Sequence, residues 1–105
     1  MRRALAALAL CLSVTAAAAQ PAPKSWAETK CERYRAAWGE ALKRRGTKGI
    51  GPDFVARHEA FLASGCTTAP DVCPRSAEEL DLANVLTIAA MNAGTASTFL
   101  PFACR

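Results

Sequence analysis

Two helical segments of this chain are separated by the stretch Gly65-Cys66-Thr67-Thr68-Ala69-Pro70-Asp71-Val72-Cys73-Pro74. Pro70 has a fixed backbone φ and Asp71 can hydrogen-bond its own backbone, so we expect this stretch to turn back on itself. The chain has no C-x-x-C pair and a single histidine, His58. The cysteines therefore indicate structural disulfides rather than a metal site, and we expect no metal and no cofactor.

The first 19 residues have the pattern of a secretory signal peptide. A short basic start, Arg2-Arg3, precedes an uncharged Ala/Leu-rich segment that ends in the cleavage motif Ala17-Ala18-Ala19. The uncharged segment is shorter than the roughly 20 apolar residues of a membrane span. Twin-arginine export is the alternative to general secretion, which suits so short a basic start better. Lipidation of Cys11 stays open, although the bulky Leu10 before it favours an ordinary apolar position.

Cleavage near Ala19 leaves an even number of cysteines in one short domain. These are Cys31, Cys66, Cys73 and Cys104. An exported chain of this size gains from crosslinks, so we expect two disulfides and a location in the bacterial periplasm or the medium. Three pairings are possible. We favour 66–73 with 31–104, because the short loop contains turn residues. The alternative 31–66 with 73–104 has nearly the same entropic value, about 7 kcal/mol for either pair of bridges.

The remaining sequence predicts an extended Pro-rich lead at 20–24 and one helical domain at 25–105. Ser25 and Glu28 form a capping box before a helix over 26–45, and Gly46 is a natural stop. Tyr34 and Trp38 recur at helical spacing with other apolar residues and are predicted to face the core.

Two further helices follow. Pro52 suits the first position of the second helix, which Gly65 ends. A second capping box, Ser76 with Glu79, begins the third helix. The run 80–91 is apolar on nearly every side and predicts the buried, central helix. We expect an all-α fold: a small three-helix bundle stabilised by disulfides, in which a short fourth helix of one or two turns at 95–100 stays open.

A basic patch at the end of the first helix is the candidate contact surface. It comprises Lys43, Arg44, Arg45 and Lys48, and suits a protein or an anionic envelope partner such as lipid headgroups or cell-envelope polymers, although ordinary helix capping and solubility are the simpler explanation of such residues. We expect no nucleic acid as partner. The span 82–103 has no charged residue, but its polar residues and Pro101 argue against membrane insertion. Oligomeric state stays open.

His58 shares a helix face with aromatic residues. We interpret it as a half-buried histidine bonded to backbone or to Glu59, with a pH switch or a general base as the alternative. No nucleophile–base pair, metal set or paired carboxylates can be recognised, so we expect a non-enzymatic binding module of the bacterial cell envelope. The alternatives are a periplasmic holdase-like stress factor and a thiol redox protein using Cys66 and Cys73.

Overall fold

The computed structural model describes residues 12–13 and 22–105. The predicted signal peptide, including Cys11 and the cleavage motif, lies almost wholly outside the described residues. Three α-helices follow in order: α1 (Trp26–Arg45), α2 (Pro52–Ala63) and α3 (Ala77–Asn92). A single 3-10 turn over Ser97–Phe99 takes the place of the short fourth helix. The all-α, disulfide-stabilised fold predicted from the sequence is confirmed.

The helix ends follow the local sequence signals. Ser25 Oγ accepts a hydrogen bond from the Glu28 backbone N–H at 3.1 Å, which satisfies one of the free donors at the start of α1. Gly46 ends α1 with a φ of 72°, a conformation that glycine adopts without a Cβ clash. The third helix begins with the same type of cap, in which Ser76 Oγ accepts from the Glu79 backbone N–H at 3.0 Å.

The carboxylate of Glu79 also ties three segments together. It accepts hydrogen bonds from the backbone N–H of Arg75 at 3.0 Å and from that of Gly51 at 3.1 Å. The first contact is made to the residue before the N-cap and not to the Ser76 N–H of a reciprocal capping box, and the second fastens the α1–α2 loop to the start of α3. Glu79 is buried, so these bonds provide the partners that a desolvated carboxylate needs.

An aromatic core lies between α1, α2 and the C-terminal segment. Tyr34 and Trp38 of α1 are buried as predicted, and they pack against Phe54, Phe61 and the lone histidine of α2. Phe102 from the C-terminal segment stacks on Phe54 with ring centroids 6.2 Å apart. The C-terminal segment thus contributes an aromatic ring to the core.

The third helix is not buried all round, which corrects the sequence-based expectation. One face, formed by Leu82, Ala83, Leu86 and Ala90, is buried against the rest of the fold. On the other face Ile88 is 61% exposed and Met91 is 55% exposed. With only two other helices in the described residues, α3 can be covered on one side alone. Its outer apolar side chains therefore face solvent.

The four expected cysteines form two disulfides, but the favoured pairing is wrong. The bridges join Cys31 to Cys66 and Cys73 to Cys104. The segment between Cys66 and Cys73 does not close on itself, because Val72 pairs with Phe102 in an isolated parallel bridge. The Val72 N–H donates to Pro101 O at 3.0 Å and Val72 O accepts from the Ala103 N–H at 3.1 Å, which brings Cys73 beside Cys104.

The other bridge follows from how α2 ends. Cys66 has a φ of 61° and its N–H donates to Phe61 O at 3.0 Å, so the chain turns sharply just after the helix. That turn places Cys66 against Cys31 on the buried face of α1. Each disulfide therefore joins segments that are distant in sequence: Cys31–Cys66 ties α1 to the end of α2, and Cys73–Cys104 ties the segment before α3 to the C-terminal segment.

Candidate partner-binding face on α1 and α3

Two of the four predicted contact cations are already paired with carboxylates. Arg44 Nε lies 2.8 Å from Glu40 Oε1, and Arg45 forms an ion pair with Asp81 of α3. Lys43 and Lys48 are exposed and form no ion pair within the described part of the chain. The predicted patch exists as a surface, but its positive charge is partly offset by acids that the sequence pattern did not place beside it.

Arg45 and Lys48 also line a cavity of about 240 Å³ between the end of α1 and the start of α3. The opposite wall carries Glu78 and Asp81, and Ile50 and Leu82 contribute apolar surface. Two cations facing two carboxylates give this cavity no net positive field to attract an anion. The cavity therefore does not support the anionic-partner interpretation of the basic patch.

An apolar groove of about 440 Å³ runs between α1 and α3. Ala37 and Ala41 line it from α1, and Val85 and Ala89 line it from α3. On each helix the two residues are four positions apart and so lie on one helix face. Because their side chains are small, another side chain or helix can approach the two backbones closely. Glu40, Arg44 and Arg45 complete one wall of the groove.

The two helices that form the groove run antiparallel. At one end, Trp26 of α1 lies beside Gly94, so that a Cβ on this glycine would be 3.4 Å from the indole ring. At the other end, Arg45 pairs with Asp81. The groove is therefore bordered by an aromatic residue at one end and by charged residues at the other.

Large apolar side chains are exposed on the same two helices. Ile88 lies one turn from the groove residue Val85, and Met91 lies one turn beyond Ile88, farther from the groove. Trp26 is 52% exposed, and its ring is held by Arg33, whose guanidinium lies 5.3 Å from the ring centroid and donates to Ala93 O at 3.1 Å. We define the α1–α3 face by the groove and these exposed neighbours. It consists of Trp26, Ala37, Ala41, Val85, Ile88, Ala89 and Met91.

The sequence pattern did not reveal the α1–α3 face, because it predicts that α3 is apolar on nearly every side and therefore buried. The few polar residues of α3 contained the missing signal. Asp81 and Asn84 precede Ile88 by seven and four residues, spacings that place the three on one side of a helix, and all three side chains are exposed. The polar breaks thus mark the outer surface of α3, and Ile88 is an apolar residue within that surface. Trp, Met and uncharged residues at such a position are typical of protein interfaces.

His58 lies away from this face, at the centre of the core. It is fully buried, its Nε2 lies 2.7 Å from the Tyr34 hydroxyl, and its ring stacks on Trp38 with centroids 3.8 Å apart. Its Nδ1 is buried without a hydrogen-bond partner. The expected half-buried histidine bonded to backbone or Glu59 is thus wrong: Glu59 accepts from Trp38 Nε1 at 2.9 Å instead.

Burial determines the ionisation state of both His58 and Tyr34. Desolvation lowers the pKa of His58 to about 4, and it raises the pKa of Tyr34 above its ordinary value. Both groups are neutral at pH 7. A neutral imidazole with no path to solvent cannot exchange protons with an external substrate, so the general-base alternative has no geometric support here.

The remaining chemistry-bearing groups are structural. All four cysteines between residues 22 and 105 are in disulfides, and that same part of the chain holds no cluster of three or more side chains able to bind a metal ion. Among the described helices none is long and apolar enough to cross a membrane. The disulfides are typical of proteins in an oxidising compartment.

No protein-family model, no curated protein and no solved structure matches this chain.

Proposed function

We propose that this protein is a non-enzymatic interaction module of the bacterial cell envelope, and that it binds a partner protein on the α1–α3 face. The observation that carries the proposal is the apolar groove between two small-residue helix faces, with Trp26 exposed at its end and Ile88 exposed one turn from Val85. Met91 extends this exposed apolar surface one turn beyond Ile88. Small soluble domains rarely present so many large apolar side chains together unless something covers them.

The energetic argument favours a protein partner. Full burial of a side chain such as that of Ile88 or Met91 contributes roughly 1.5–3 kcal/mol. The groove offers the close backbone approach that lets such burial be complete, as when a helix lies in a groove formed by two others. The basic patch of the sequence-based hypothesis lies at one end of this face, where Arg44 and Arg45 form part of its wall.

The envelope location rests on two features. The first is the signal-peptide pattern of residues 1–19, which predicts export. The second is the pair of disulfides, which the reducing cytosol would not sustain. The absence of an enzymatic role is part of the same proposal, because His58, whose pKa burial lowers to about 4, is sealed inside the core.

Site-specific photocrosslinking in the producing cell tests this proposal. A benzoylphenylalanine placed at position 88 should give a covalent protein adduct that the same group at position 56 does not give. Ala56 is a matched control, because it is exposed on α2, away from the groove. The adduct should disappear when Met91→Glu is added, with the helical circular dichroism unchanged. Equal adducts from positions 88 and 56, or none from either, would contradict the proposal.

One observation favours a second candidate, the acid-activated holdase. The unpartnered Nδ1 of His58 lies in the aromatic core, so protonation there would oppose folding and expose phenylalanine rings. A hydrophobic dye should then bind reversibly below about pH 4.5 if this function is real, since that is close to the His58 pKa of about 4. A titration to pH 3 without dye uptake would remove the candidate. Among the described residues, no contact of Cys66 or Cys73 supports the thiol redox alternative.

A further inference from the structure

The partner on the α1–α3 face can be specified further. We infer that it is a second copy of this chain, and that two α1–α3 pairs pack about a two-fold axis into a four-helix bundle. This inference rests on the proposed function, since it names the occupant of the same face.

The first argument is the distribution of charge along α3. In a two-fold dimer, side chains near the axis meet their own copies, so a charged residue there would face a like charge. Between Leu82 and Asn92 the third helix has no charged residue. Its exposed positions in this stretch include Asn84, Ile88 and Met91, and each of these side chains can pack against or hydrogen-bond with its own copy.

The second argument is that protrusions and a recess occur on the same face. Ile88 stands out from α3 one turn from Val85, while Ala37, Ala41 and Ala89 form the recess beside it. A two-fold interface uses one surface patch on both subunits, so that patch must contain both the shapes that insert and the shapes that receive. The α1–α3 face meets this requirement without any contribution from α2.

The third argument is the sign of the rim charges. The α1 side of the groove carries Glu40 and Arg44 one helical turn apart, so the rim presents both signs. A strongly acidic or basic partner, or an anionic membrane, would favour rim residues that all carry the opposite charge to the partner. A rim of mixed sign can meet its own copy with opposite charges facing each other, which is the charge complementarity that a second copy needs.

The dimensions agree with a helical bundle. The third helix has 16 residues, which corresponds to about 24 Å, and α1 runs antiparallel beside it. Two such antiparallel pairs packed face to face form a four-helix bundle, in which the apolar seam runs along the centre. Ile88 lies near the middle of the exposed part of α3 and would sit close to the axis.

A charge-swap experiment tests the dimer. The mature disulfide-bonded protein is examined by sedimentation velocity from about 1 to about 500 μM, alongside Ile88→Glu, Ile88→Lys, their equimolar mixture and Ala56→Glu. We expect the unmodified protein and Ala56→Glu to dimerise equally. Each substitution at position 88 should raise the dimer dissociation constant at least tenfold, and the mixture should restore dimers, because the introduced charges of opposite sign would face each other across the axis.

The outcomes separate this inference from the proposed function. A dimer that is insensitive to Ile88→Glu, or a mixture that fails to recover, overturns the two-fold arrangement. A monomer at every concentration overturns the inference; if position 88 still crosslinks to a different protein, the binding-module function stands with another occupant. A monomer that gives no crosslink, or that floats with anionic vesicles of phosphatidylglycerol, overturns both.

Discussion

The buried histidine makes the fold sensitive to acid, and the size of this effect can be worked out. The pKa of His58 is lowered to about 4 by burial, against an ordinary value of 6.5 in the unfolded chain. Between these two pH values the unfolded chain binds a proton that the native protein excludes. Stability is therefore complete above about pH 6.5 and falls as the pH drops toward 4, where the loss contributed by this group reaches about 3 kcal/mol.

No neighbouring group offsets this cost. The polar contact of the imidazole is the Tyr34 hydroxyl, whose own pKa is raised by burial, so it is neutral. The nearest carboxylate in sequence, Glu59, accepts from Trp38 Nε1 instead of approaching the imidazole. The other contacts are the aromatic rings of Trp38, Phe54, Phe61 and Phe102, none of which is charged. A protonated imidazole here would have no counter-charge among the groups packed on it.

Urea unfolding followed by tryptophan fluorescence at pH 7, 6, 5 and 4 measures the effect. The variant His58→Gln retains a polar group for the Tyr34 hydroxyl but cannot titrate. We expect it to be less stable than the unmodified protein at pH 7, because aromatic stacking is lost. Its decline in stability between pH 7 and pH 4 should be smaller by about 3 kcal/mol.

The test compares how steeply the free energy of unfolding falls with pH in the two proteins, and not their absolute stabilities at one pH. Both proteins share the exposed carboxylates, so acid weakening of surface ion pairs contributes equally to both curves. If the two free energies of unfolding fall in parallel between pH 7 and pH 4, then His58 does not carry the acid sensitivity and the holdase candidate loses its basis. A loss of about 3 kcal/mol is a large share of the 5–15 kcal/mol typical of a domain.

Three further predictions concern the crosslinks and the loop between α1 and α2. Replacing Cys31 and Cys66 together by alanine should cost about 4 kcal/mol of unfolding free energy, measured by urea titration, and non-reducing peptide mapping should recover the 31–66 peptide pair and no 66–73 pair. Gly49→Ala should cost about 1 kcal/mol by thermal unfolding, since the native φ is +77°. Glu79→Ala should cost about 2–4 kcal/mol in the same assay, because two backbone N–H groups lose their acceptor; a change below 0.5 kcal/mol would contradict the buried-clasp interpretation.

Local signals predicted the helices well. The bounds of α1 follow from Ser25, Glu28 and Gly46, whose hydrogen bonds and backbone angles depend only on residues within one turn. The start of α3 follows in the same way from Ser76 and Glu79. Capping is decided by neighbours in sequence, so it can be recognised without knowledge of how the helices pack.

The disulfide pairing could not be predicted by the same means. The turn residues between Cys66 and Cys73 suggested a short closed loop, and the entropic values of the alternatives were too similar to choose between them. What decides the pairing is the bridge of Val72 with Phe102, a contact between segments 30 residues apart. Only the packing of the C-terminal segment over the aromatic core creates that contact, and no local pattern encodes it.

The candidate face was hidden for a related reason. Apolar residues all round a helix predict burial on every side, but they do not specify what provides the cover. Within the described residues α1, α2 and the C-terminal segment cover only the side of α3 that carries Leu82 and Leu86. Apolar residues beyond that side, such as Ile88, are then better explained by a partner than by the core.

The proposed dimer and the acid response should be coupled through α1, because this helix carries both groove residues, Ala37 and Ala41, and Trp38, on which His58 stacks. No cysteine lies within α3, so neither disulfide prevents this helix from separating from α1. If a second copy covers Ile88, acid opening must also break the dimer, and the dimer adds stability that grows with protein concentration. The pH midpoint of dye uptake should therefore move lower as the protein concentration is raised a hundredfold, and Ile88→Glu should remove this dependence. A midpoint that is the same at every concentration in both proteins would mean that the opening of the core and the occupation of the α1–α3 face are independent.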